Sequence, residues 1–152
     1  MSRTIYLAVF SNGPKPAHQA VFIPTGDAAT GKKGNIIHVT GNPATGFFLE
    51  FKRNYDFEFE DRKYQVVTLV QVNAQYIRDT VGNGEPSTDT IARDRLESVA
   101  TVVSPPGPSP NPFGSLALNC QNWMRDYVER LVVEGLVPSS AGLIMESAPR
   151  LL

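Results

Sequence analysis

Residues 113–138 read FGSLALNCQNWMRDYVERLVVEGLVP. At about 100° per residue, Cys120, Trp123, Met124, Tyr127, Val128 and Leu131 share one face. Asn122, Arg125, Asp126, Glu129 and Arg130 fall elsewhere. The spacing predicts an amphipathic helix with Asn119 as its N-cap and a stop at Gly135 and Pro138. Such an apolar face must be buried against a second layer. Cys120, the only cysteine of the chain, stands in the first turn of that helix.

The second layer is expected upstream. Thr4–Phe10 is a short apolar run, and HQAVFIP (18–24) follows a Gly-Pro-Lys-Pro turn. NIIHVTG (35–41) and FFLEFKR (47–53) flank the turn residues GNPATG and predict a hairpin. YQVVTLVQV (64–72) is β-branched and reads as a central strand. These five segments predict one largely antiparallel sheet. Beyond it, NAQYIRDTV (73–81) reads as a short helix. GNGEPSTD (82–89) reads as a loop, with Ser87, Thr88 or Asp89 as caps for a helix over Ile91–Val103. SPPGPSPNPFG (104–114) has five prolines in eleven residues, so it is neither a helix nor a central strand. It is a spacer or a stiff loop bordering a cleft. The tail after Pro138 has no assignable pattern. The expectation is an α+β fold in one domain, 1–152, with a β-rich half at 1–72 and a helical half at 73–152.

Composition narrows the function classes. The chain has 152 residues, 41% hydrophobic and 19% charged, with a formal charge of −1. That balance offers no footprint for nucleic acid or an anionic membrane. No apolar run is long enough to span a bilayer, and the N-terminal run is too short for a secretory signal. One cysteine forms no internal disulfide and no thiolate zinc site. A cytoplasmic protein is expected. EFKRNYDFEFEDRKY (50–64) is dense in charge and aromatics and reads as a solvated strand and turn with its rings inward. TGDAATGKKG (25–34) lacks Walker A spacing and reads as a flexible loop.

A thiol at a helix N-terminus has two readings. Unpaired N–H groups and the helix dipole stabilise a thiolate there. Free cysteine is also among the most buried residue types, and Cys120 lies on the apolar face. The two histidines, His18 and His38, fall on neighbouring predicted strands. Each is either a hydrogen-bonded structural residue or the base for a thiol. A thiol at a helix start, an imidazole on the sheet and a polar group to orient it together form a cysteine-hydrolase arrangement.

The order AHQAVFIP, NIIHVTG, NCQNWMRDYV resembles permuted papain-like proteins of the NlpC-type superfamily. Within it the chain looks similar to the lecithin:retinol acyltransferase family, its phospholipid acyltransferase relatives and the PPPDE-type isopeptidases. It is also similar to uncharacterised fungal proteins sharing IIHVTG, FKRNYD and NCQxWxRDYVExLV, a likeness that brings no activity with it. The resemblance implies a circularly permuted papain-like fold, with about five strands packed on a C-terminal helix bearing the cysteine. It implies Cys120 as nucleophile, His18 as base and His38 as the orienting residue. Gln19 stands where the acyltransferases carry Trp, QNW replaces their EHF, and no C-terminal membrane anchor follows. These departures argue against a membrane lipid substrate.

The implied chemistry is an acyl-enzyme formed from an amide, ester or thioester, with no metal or organic cofactor. The substrate is then a small acyl or amide compound, or a peptide or isopeptide. The Cys120 amide is one oxyanion donor. Tyr6 and Gln19 are candidates for the second, and Asn119 is a further candidate substrate contact. The competing expectations are a non-catalytic binding domain with a core thiol and, ranked last, a redox-sensing thiol.

Overall fold

A computed structural model describes residues 1–26, 31–114 and 116–152. Six strands alternate with turns through the first ninety or so residues: β1 (Ser2–Phe10), β2 (His18–Pro24), β3 (Lys33–Asn42), β4 (Gly46–Asp56), β5 (Tyr64–Asn73) and β6 (Ser87–Asp89). They form one sheet in the order β5-β1-β2-β3-β4-β6, with every adjacent pair antiparallel. Three short helices follow, α1 (Arg95–Ala100), α2 (Cys120–Val133) and α3 (Ser140–Ser147).

Both faces of the central strands are covered. On one face Ile5, Leu7, Val9, Val21, Ile23, Ile37 and Val39 join Cys120, Trp123, Met124, Tyr127, Val128 and Leu131 of α2 in one core. On the other, Ala8, Phe10, Ala20, Phe22 and Ile36 pack under Phe57, from the 3-10 turn Phe57–Phe59 after β4. A strand buried on both faces reads as a continuous apolar run, which is why IYLAVF and AVFIP do not alternate. Trp123 stacks on Tyr127 at 5.0 Å between centroids and donates its Nε1–H to the Val103 carbonyl at 2.9 Å. Gly34 pairs with Pro24 across β2 and β3, and a Cβ there would run into the Ile23 carbonyl oxygen.

The expected permuted papain-like architecture is not met. The sheet has six strands rather than about five, and the helical part consists of three short helices. The added strand, β6, lies in the segment read as loop and caps. It is only three residues long, too short to show a period, and it is fixed by pairing with β4 at Phe51↔Asp89 and Arg53↔Ser87. YQVVTLVQV is an edge strand, not a central one, and of β5 only Leu69 and Val72 are buried. β-Branched residues also suit a half-buried edge.

The helix expected over Ile91–Val103 shrinks to Arg95–Ala100, capped by Asp94 rather than by Ser87, Thr88 or Asp89. Its would-be first turn is drawn away. Asp89 takes the Ile91 N–H at 3.0 Å, and Arg53 donates to the Ile91 carbonyl at 3.0 Å. NAQYIRDTV forms one 3-10 turn, Ala74–Tyr76, capped by the Asn73 side chain, and then runs without regular structure. The proline-rich segment docks on the β3–β4 turn through Phe47 N–H to Pro106 O at 2.8 Å and Ser109 N–H to Pro43 O at 2.7 Å. The middle of TGDAATGKKG, residues 27–30, lies outside the described residues.

Candidate functional site

The site grows from two ends of the sequence that meet at the start of β2. At one end Asn119 caps α2. Its side chain accepts the Gln121 N–H at 2.9 Å, and the Asn122 side chain accepts the Asn119 N–H at 2.9 Å. Asn119 is therefore occupied as a structural cap. That cap holds Cys120 in the first turn with its thiol on the sheet, 3.8 Å from the Ala17 carbonyl oxygen. Gln121 donates its side-chain amide to the same carbonyl at 2.9 Å and to the Arg150 carbonyl at 3.0 Å. Arg150 O accepts the Ala17 N–H at 2.8 Å, and Gln19 Nε2 donates to Pro149 O at 3.2 Å. The C-terminal tail thus straps the first residues of β2 to the start of α2.

At the other end are the histidines. His18 and His38 lie with the Phe10, Ala20 and Phe22 side of the sheet, away from α2. The His18 ring lies 5.8 Å from that of Phe10. His18 Nε2 and His38 Nδ1 are 2.7 Å apart. His38 Nε2 lies 3.0 Å from Glu50 Oε1, its cross-strand partner on β4. An ionised carboxylate only accepts, so His38 carries its proton on Nε2 and presents the Nδ1 lone pair to His18. His18 must then donate from Nε2. Its Nδ1 is left unprotonated, with no hydrogen-bond partner among the described residues. Glu50 thereby sets both tautomers through one chain of hydrogen bonds.

The electrostatics fit neutral rings. Burial lowers His18 to about 3, helped by His38, Arg62 and Lys52, and burial with Lys52 and Arg62 lowers His38 to about 3. The thiol departs from the expectation of a helix-activated anion. Burial pushes Cys120 up, outweighing the Gln19, Cys120 and Gln121 amides that favour the thiolate. At rest the thiol and both imidazoles are neutral.

Because the folded histidines titrate below their unfolded value, unfolding takes up protons as pH falls below about 6.5. Their contribution to stability is complete above that pH and is lost toward acid. Between pH 6.5 and 4.5 the unfolding free energy should fall by up to about 1.4 kcal/mol per pH unit for each histidine. Urea titrations across that window check this, and His18→Phe should flatten the slope.

The structure brings His18 and His38 together on one face of the sheet and places the Cys120 thiol on the other. The thiol touches Ala17 and Gln19, the two neighbours of His18, and no hydrogen bond joins it to either ring among the described residues. Gln19 meets the site through its backbone amide, while its side chain serves the tail strap. Tyr6 packs on Phe22 on the histidine side of the sheet, with 6.5 Å between ring centroids, and does not join the α2 core. Glu50 went unread in the sequence, although the hairpin held the signal: a turn closing at Asn42↔Gly46 puts His38 opposite Glu50. Among the described residues no group of three His, Cys, Asp or Glu side chains is placed to hold a metal ion, and no helix is long and apolar enough to cross a membrane.

No curated protein and no solved structure matches the chain. A family model does match, over residues 5–138, a span that holds His18, His38, Glu50 and Cys120. The chain belongs to DUF6540, a family of unknown function.

Proposed function

We propose that this domain is a cofactor-independent thiol hydrolase or acyltransferase, with Cys120 as nucleophile and His18 as base. The observation that carries the reading is the Glu50–His38–His18 chain, which leaves His18 Nδ1 an unprotonated acceptor. At rest the thiol and the His18 ring lie on opposite faces of the sheet, joined through the backbone of Ala17 and Gln19, so the reading requires the start of β2 to rearrange before the thiol gives its proton to His18 Nδ1 as Sγ bonds to the substrate carbonyl carbon. The oxyanion takes the Cys120 and Gln19 N–H groups, which surround Sγ in the resting state. The tetrahedral intermediate collapses, the leaving group departs with the proton from His18, and an acyl-thioester remains. Water or an amine, deprotonated by His18, then attacks that thioester and releases Cys120. Hydrogen bonds in resting sites of this kind often tighten only with substrate bound. A small acyl or amide compound, or a peptide or isopeptide, supplies the carbonyl. A lone thiol that must stay reduced suits the cytoplasm.

Glu50 acts here as a positioning residue. Glu50→Leu should slow hydrolysis of p-nitrophenyl acetate by about tenfold to a hundredfold, as loss of an outer-shell partner does. The pH dependence should shift with it, because the His38 tautomer is no longer set. No ester, thioester or amide hydrolysis by the native protein would sink the reading. A second reading, a binding domain with an inert core thiol, draws on the burial of Cys120, which is 6% exposed. It predicts no turnover and no effect of Glu50→Leu beyond stability.

A further inference from the structure

The sheet holds the start of β2 less firmly than the rest of that strand. β1 pairs with β2 from Phe10↔His18 to Tyr6↔Phe22, but β3 pairs with it only from Val21↔Ile37 to Pro24↔Gly34. His18, Gln19 and Ala20 therefore have a paired strand on one side only. Further hold on this corner comes from residues 149–150. Arg150 O accepts the Ala17 N–H at 2.8 Å and the Gln121 side-chain amide at 3.0 Å, and Pro149 O accepts the Gln19 side-chain amide at 3.2 Å. Gln19 and Gln121 are both buried, so these bonds are made away from solvent.

The anchorage of the strap itself is slight. α3, which leads into it, buries only Ala141 and Met145, and among the described residues no side-chain hydrogen bond caps its N-terminus. After α3, Ala148 is buried and Leu152 packs half-buried on the core, while Leu151 is exposed. Segments with few buried contacts open at lower cost than the fold as a whole. The strapped corner also lies between the two reacting groups. The Ala17 carbonyl faces the thiol at 3.8 Å, and the Ala17 N–H is held by the strap. The next residue, His18, carries its ring on the other face of the sheet. Thiol and imidazole meet only when residues 17–19 move, and the strap opposes that movement.

We propose that residues 149–152 are an autoinhibitory latch. Seated, they fix the start of β2 in its resting geometry and keep the thiol apart from His18. Released, they free residues 17–19 to bring the two together. The proposal rests on the Cys120–His18 reading and adds its regulation: turnover is set by how often the latch opens.

Opening is readable without catalysis. In the native protein, amide hydrogen exchange of Ala17 and alkylation of Cys120 by iodoacetamide report the latch, and exchange of the buried Val128 amide in α2 reports global unfolding. Ala17 and Cys120 should report an opening at least about tenfold more frequent than the unfolding seen at Val128. Two variants loosen the strap from its two ends. Gln19→Leu removes the donor to Pro149 O and keeps the backbone N–H of that position, and Leu152→Ala removes the apolar anchor. Each should raise the Cys120 alkylation rate about fivefold, the scale of one hydrogen bond or of a part-buried side chain. Turnover of p-nitrophenyl acetate should rise by the same factor, whereas a strap that merely supports the site would lower it. A Cys120 that reacts only as fast as Val128 exchanges, or alkylation unchanged in both variants, overturns the proposal. Turnover in the native protein that fails to rise in both variants removes the latch and keeps the thiol chemistry. Faster alkylation in both variants, with no ester turnover by any of the three proteins, keeps the latch and removes the thiol chemistry.

Discussion

On the proposed reading, Cys120→Ala should abolish acyl turnover and leave the domain folded. Removing a catalytic nucleophile lowers turnover by as much as about a millionfold. The structural effect should be small by comparison. Cys120 is capped into α2 by Asn119 and Asn122, neither of which the substitution touches. The thiol makes one long hydrogen bond, to the Ala17 carbonyl at 3.8 Å, and that carbonyl keeps the Gln121 amide at 2.9 Å. Loss of one buried sulfur atom should therefore cost only about 1 kcal/mol, the scale of a small core deletion. Steady-state kinetics and urea unfolding on the same preparation check both halves. A loss of several kcal/mol, from a parent protein that turns over nothing, would instead mark Cys120 as a core thiol.

Glu97→Ala should be the most damaging single change to stability. Glu97 is completely buried, and Arg53 is 3% exposed. The Arg53 guanidinium holds both Glu97 oxygens and both Asp89 oxygens, and it also donates to Thr80 Oγ1 at 3.3 Å and to the Ile91 carbonyl. Glu97 Oε1 further accepts the Arg93 N–H at 2.9 Å. One residue of β4 thus clamps β6 and α1 to the sheet. Removing the carboxylate leaves a buried cation short of its partner and a backbone N–H without its acceptor. Breaking such a pair from one side costs about 3–5 kcal/mol, whereas replacing both partners by apolar groups of similar size is often nearly neutral. Arg53→Met combined with Glu97→Leu should recover most of the loss, because it removes the stranded charge. A destabilisation below about 1 kcal/mol in the single variant would show that water reaches the guanidinium and compensates it.

The parts of the fold that were legible are those whose cause is local. α2 announces itself through six apolar residues on one face, an asparagine cap and a Gly/Pro stop. The β3–β4 hairpin follows from its turn residues. What was misread is decided by partners far away in sequence. β6 exists because Asp89 meets Arg53, and α1 starts late because Arg53 and Asp89 take the backbone groups of Ile91. No window around Ser87 or Ile91 contains that information. β5 illustrates a different limit, since β-branched composition marks a strand without saying whether it has one neighbour or two.

The site divides in the same way. His18 and His38 on adjacent strands were readable from alternation and order, and their 2.7 Å contact follows from the β2–β3 pairing. Glu50 required counting register across the hairpin. The thiol had two readings in the sequence, a helix-stabilised anion and a buried core thiol, and only the packing decides between them. A helix N-terminus argues for an anion, but burial against Ala17 reverses the sign.

The most direct test of the account is acylation of the single cysteine by p-nitrophenyl acetate, followed by peptide mapping and mass spectrometry, in native protein and in His18→Ala. The account predicts one acetyl group on Cys120 of the folded native protein, formed about a hundredfold to ten-thousandfold more slowly in His18→Ala. A Cys120 that stays unmodified until urea unfolds the chain, or that reacts at the same rate without His18, would contradict it.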